Sequence, residues 1–146
     1  MKNLLLRVEQ KRVACIFIIF AFLFVTWISK VWLENVYIFN WVMHNKYLYI
    51  CSALALILIL FNKVYSAYGI TFGSTIGLFI GQLLGDIILA INEKKLALDA
   101  YANSFWSLTL HYGAFIWLCS ILFFFIIGIS LDWRKTRKMG QQKNVQ

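Results

Sequence analysis

Apolar residues in this chain come in long unbroken runs rather than with the alternating or one-sided period of an element half exposed to water. The first, Val13 to Val31 (VACIFIIFAFLFVTWISKV), carries no charge between Arg12 and Lys30. At 1.5 Å per residue it reaches across a hydrocarbon core about 30 Å thick. The second, Tyr47 to Phe61 (YLYICSALALILILF), is shorter than the roughly 17 residues a span usually needs. Snorkelling of Lys46 and Lys63, with VYSAY beyond, extends it to about 47–64. A third run from Gly69 to Ile91 and a fourth from Leu108 to Leu131 are long enough unaided.

The pattern predicts an all-α integral membrane protein: one domain, residues 1–133, of four transmembrane helices in an antiparallel bundle, followed by a basic tail at 134–146. A three-span version follows if the segment around 47–61 lies in the interface instead. Lys2, Arg7, Lys11 and Arg12 precede the first run as they would in a signal peptide. That run is longer than a 7 to 15 residue signal core and has no small-x-small cleavage site, so it reads as a retained anchor.

Between the first two spans, Leu33 to Lys46 (LENVYIFNWVMHNK) is too apolar for a free loop and too short to cross, which places it in the outer interface as a helical or irregular flap. Asn92 to Ser107 forms the other outer connection, with helix formers enough for one or two turns over 96–106. The tail beyond Trp133 (RKTRKMGQQKNVQ) is expected to be disordered or laid on the inner leaflet.

Composition sharpens the picture without changing it. Of 146 residues 62% are apolar and 14% charged, against about 45–50% and 25% for a soluble domain. Proline is absent, so any break within a span falls to glycine. Cys15, Cys51 and Cys119 are far apart and each lies in an apolar run, which describes small buried hydrophobes and neither a disulfide framework nor a CxxC site.

The net charge of +8 gathers at the chain ends. It suits anionic lipid headgroups and points away from nucleic acid. With both termini in the cytoplasm, Lys2, Arg7, Lys11, Arg12, Lys63, Arg134, Lys135, Arg137, Lys138 and Lys143 lie inside and only Lys30, Lys46, Lys94 and Lys95 outside. The positive-inside rule therefore selects a plasma-membrane topology with both ends cytoplasmic and an even number of crossings. Trp27, Trp32, Trp41, Tyr37, Tyr47, Tyr49, Trp106 and Tyr112 fit an outer aromatic belt, and Tyr65, Tyr68 and Trp133 an inner one.

Two features stand out within the third span. Gly69, Gly73, Gly77, Gly81 and Gly85 recur at every fourth residue, a small-xxx-small row that lets helices approach closely. Such a row packs the bundle internally, joins copies or partner subunits, or serves as a hinge. At 100° per residue Thr71, Thr75, Gln82, Asp86 and Glu93 share one narrow sector, and the glycine row reaches the edge of that stripe at Gly81 and Gly85.

Asp86 is read as the acidic residue within a span, where it needs a partner or water. His111, placed about four residues into the fourth helix, lies at matching depth, with Gln82, Tyr112 and Ser107 within reach to extend the network. Such a pair pins two helices together, or carries a proton or cation. His44, in the flap, has no spacing that calls for a metal, and no cofactor motif is present.

Three functions are compatible with these residues. The first is a non-enzymatic subunit or helper that assembles, with itself or in a larger membrane complex, through the glycine face. The second is a small oligomeric transporter or channel lined by Thr71, Thr75, Gln82 and Asp86. The third is a membrane-embedded lipid-modifying enzyme using Asp86 and His111 as acid and base.

Overall fold

A computed structural model describes residues 2–98 and 111–143. All regular structure among them is helical: α1 (Lys2–Val31), α2 (Tyr37–His44), α3 (Tyr47–Leu60), α4 (Val64–Leu98) and α5 (Gly113–Lys143). Three of these contain stretches long and apolar enough to cross a membrane, Val8–Val31, Val64–Lys94 and Gly113–Arg137. The short helices α2 and α3 meet at a 66° bend and supply a fourth crossing if the bent pair is one span.

Helix α4 packs against all four of the others, most extensively against α5, while α1, α2 and α3 cluster on its remaining surface. The fully buried side chains Ile18, Ile38, Phe39, Val42, Leu48, Ile59, Leu78 and Trp117 come from all five helices. Outside this seam the surface is apolar. Val13, Ile16 and Phe20 on α1 and Phe115, Leu122, Phe123 and Ile126 on α5 are each at least 58% exposed. Exposed apolar patches of this extent are compatible with helices that cross a membrane.

The second apolar run does not continue into VYSAY. Helix α3 stops at Leu60, Asn62 turns into the left-handed region (φ 60°), and Val64 already opens α4. The stop is a Schellman motif: Lys63 N–H donates to Leu58 O at 2.8 Å and Asn62 N–H to Ile59 O at 3.0 Å, which satisfies carbonyls that apolar surroundings would strand. Asn is among the few residues that tolerate this conformation. The break between α2 and α3 uses Lys46 in the same way (φ 58°), although lysine has no such tolerance.

Within the segment 33–46 the chain is helical over α2, one of the two forms expected, and α2 buries Ile38, Phe39 and Val42 and packs against α4. One expectation is corrected: the basic tail is not disordered but helical as far as Lys143. Arg, Lys, Met and Gln are good helix formers, and the Arg137 guanidinium lies 3.5 Å from the Trp133 ring one turn earlier. Most of the expected turns at 96–106, and Ser107, lie outside the described residues.

Candidate functional site

The glycine row faces α5 of the same chain. A Cβ added at Gly73 would lie 2.7 Å from Ile121 Cα, and one at Gly81 would lie 2.6 Å from Gly113 O. At Gly69 it would strike the Phe124 carbonyl and at Gly85 the His111 ring, while at Gly77 the Ser120 side chain blocks it at 2.8 Å. Contacts that climb α4 therefore descend α5, and the two helices run antiparallel with backbones nearly touching. Gly113 and Gly128, which the sequence reading did not single out, complete the seam from the α5 side.

At one end of this hairpin Gln82, Asp86 and His111 meet. Gln82 Nε2 donates to both carboxylate oxygens of Asp86 at 2.8 Å, one helical turn away. His111 Nε2 stands 3.2 Å from Asp86 Oδ1. His111 is not in the helix, contrary to the sequence reading; it precedes α5, and its Nδ1 accepts from the Gly113 N–H at 3.3 Å, satisfying a donor in the first turn. A ring that accepts at Nδ1 and donates from Nε2 satisfies both contacts with one tautomer.

The same cluster holds α2. Val36, at the N-cap of that helix, offers no side-chain acceptor. Gln82 Oε1 substitutes for it by accepting the Ile38 N–H at 3.0 Å, and the Tyr37 ring lies against His111 with centroids 4.4 Å apart. The His111 side chain is 7% exposed and that of Asp86 58%. The carboxylate is thus oriented from one side by two donors and open on the other.

The rest of the polar stripe is occupied with its own backbone. Thr71 Oγ1 donates to Ala67 O at 2.9 Å and is buried, and Thr75 Oγ1 donates to Thr71 O at 2.8 Å. Glu93 is exposed three turns nearer the α4 C-terminus than Gln82. His44 lines a different cavity, with Ser29, Lys30 and Glu34, and no group of three metal-ligating side chains occurs among the described residues.

A second carboxylate, at the opposite end of the hairpin, escaped the sequence reading. Asp132, only 4% exposed, projects from α5 onto the first turn of α4. Its Oδ2 accepts the Ser66 N–H at 2.8 Å and the Ser66 hydroxyl at 2.6 Å, and its Oδ1 accepts the Tyr65 N–H at 3.3 Å. It caps a helix whose preceding residue, Lys63, has no acceptor to offer. The available signal was an α4 start without Ser, Thr, Asp or Asn next to it, together with an acid at the edge of the last apolar run. Deep in the seam, Trp117 Nε1 donates to Ser74 O at 3.0 Å, a tie between α5 and α4 that was also unforeseen. Comparison with known protein families, curated proteins and solved structures returns no match to this chain.

Proposed function

We propose that the chain is a small multi-pass protein of the plasma membrane, with both termini cytoplasmic, that acts as a non-enzymatic subunit or helper in a membrane assembly. What carries this reading is the use of its polar groups. Gln82, Asp132 and His111 each satisfy the N-terminal amides of a helix with no adequate cap of its own. Thr71 and Thr75 donate their hydroxyl protons to backbone carbonyls of their own helix. In an apolar solvent that is the principal need polar side chains answer. The row Gly69, Gly73, Gly77, Gly81 and Gly85 seats α5, so a partner would use another face unless α5 is displaced.

The mass and composition of the particle extracted in mild detergent test the proposal. A species containing a second polypeptide, or several copies, is expected; a lone monomer would overturn it. Orientation is tested separately by labelling Gln142→Cys and Asn45→Cys in a background free of other cysteines. Asn45→Cys should react in intact cells and Gln142→Cys only after permeabilisation.

One observation favours the transporter reading as the runner-up. Asp86 presents a half-open carboxylate beside the His111 imidazole at the end of the hairpin, an arrangement able to accept a proton or cation. Cation flux in vesicles that is lost in Asp86→Asn, with folding intact, would replace the helper reading with this one. The enzyme reading has Asp86 and His111 but no nucleophile in hydrogen-bond contact with them among the described residues.

A further inference from the structure

At the Asp132 end of the hairpin a cavity of about 410 Å³ opens between α1, α4 and α5, lined by Glu9, Gln10, Val13, Val64, Tyr65, Tyr68 and Lys135. Its volume lies within the range of small-ligand sites. The two charged groups on its walls have opposite sign and come from different helices, Glu9 from α1 and Lys135 from α5. They do not bridge each other, since the only ion pair within 4.0 Å among the described residues is His111–Asp86. Lys135 Nζ rests 5.4 Å from the centroid of the Tyr65 ring, which holds the ammonium against one wall.

The Tyr65 and Ser66 amides in the first turn of α4 are already bonded to Asp132, so an anion entering here meets Lys135 rather than those amides. Along α1 from the cavity, Val13, Ile16 and Phe20 stand on one helical face and are 64%, 69% and 67% exposed. That face is an apolar track leading away from a dipolar cup.

We propose that this cavity is a phospholipid site selective for a headgroup carrying both charges, of the ethanolamine type. The phosphate lies toward Lys135, the primary ammonium donates to the Glu9 carboxylate, and an acyl chain follows Val13, Ile16 and Phe20. A quaternary ammonium has no N–H to give Glu9, and a glycerol headgroup has no cation, so both are weaker ligands. The site rests on the membrane reading above. Resistance of the chain to carbonate extraction from membranes tests that reading independently.

The site itself is tested by native mass spectrometry of the full chain released from nanodiscs containing equal amounts of phosphatidylethanolamine, phosphatidylglycerol and phosphatidylcholine. Retention of phosphatidylethanolamine is expected to exceed that of the other two by roughly three- to tenfold. Glu9→Gln should abolish the preference over phosphatidylglycerol, and Lys135→Gln should weaken retention of all three. Both positions are exposed, and an unchanged unfolding temperature confirms that the fold is intact. A wild-type chain that retains phosphatidylglycerol equally well, or a Glu9→Gln chain that keeps its selectivity, would overturn the proposal. Competition by soluble glycerophosphoethanolamine at the same concentration would overturn the assignment to a lipid.

Discussion

The hairpin of α4 and α5 carries an aspartate at each end, and the two are put to different uses. Asp132 is nearly buried, with three donors directed at it from the first turn of the neighbouring helix. Asp86 has a side chain 58% exposed and receives its hydrogen bonds from Gln82 and His111 on one side only. Between Ser66 and Asp86 the rise of α4 comes to about 30 Å, the thickness of a hydrocarbon core. A buried carboxylate whose oxygens are all engaged is fixed in place and stabilises structure. One that is half open keeps acceptor capacity for chemistry or for a partner. The same residue type thus closes one end of the hairpin and leaves the other receptive.

The comparison is broken most forcefully through the seam that joins the two ends. Gly73→Leu sets a side chain against the Ile121 backbone, and the axes must part. A loss of about 3 kcal/mol or more is expected for such overpacking, read as detergent unfolding or protease sensitivity. Leu83→Ile, at an outward position 61% exposed, should change stability by less than about 0.5 kcal/mol. Equal effects would show that the helices do not approach along the glycines.

The two aspartates are compared next. Asp132→Ala strands the Tyr65 and Ser66 amides and should cost about 2 to 3 kcal/mol. Asp86→Ala, where the carboxylate itself is 58% exposed, should cost less, about 1 kcal/mol. Reversal of that order would mean that burial does not distinguish them.

A double-mutant cycle with Asp86→Asn and His111→Asn then sharpens the account of the open end. His111 also holds the Gly113 amide and the Tyr37 ring, so its replacement should be the more damaging of the two. The coupling between them should be no more than about 1 kcal/mol. A coupling indistinguishable from zero would mean the 3.2 Å contact contributes nothing.

The smallest effect concerns the bend beside the open end. Lys46→Gly removes the left-handed penalty of a β-carbon and should stabilise the chain by about 1 kcal/mol. A loss of stability would show that the lysine side chain is held by contacts that outweigh the strain.

How these regions could be read beforehand differs with the range of the forces involved. Runs of apolar residues are sums over many positions, so the long helices expected around 13–31, 69–91 and 108–131 were legible, although the last begins only at Gly113. The fourfold glycine spacing marked the face of α4 that α5 approaches, because it follows from helical geometry alone, whereas Asp86 and His111 meet although His111 stands before α5 and not within it as expected. What failed was local: the extension of the second run through Asn62, the placing of His111 inside a helix, and the disordered tail. Each of these turns on a cap or a terminal turn, where one residue's backbone conformation decides the outcome.

The sequence by itself determined that the chain is helical and apolar on its outside, and which helix carries the close-packed face. Those properties are sums over many residues, each acting with its near neighbours and the solvent. Only the tertiary structure decided that α5 occupies the glycine row, that Gln82 serves α2, and that Asp132 serves the start of α4. These are single contacts between residues 44 and 66 positions apart in the last two cases. No local pattern encodes them, because an unsatisfied amide N–H in an apolar medium donates to whichever acceptor the packing of whole helices brings within reach.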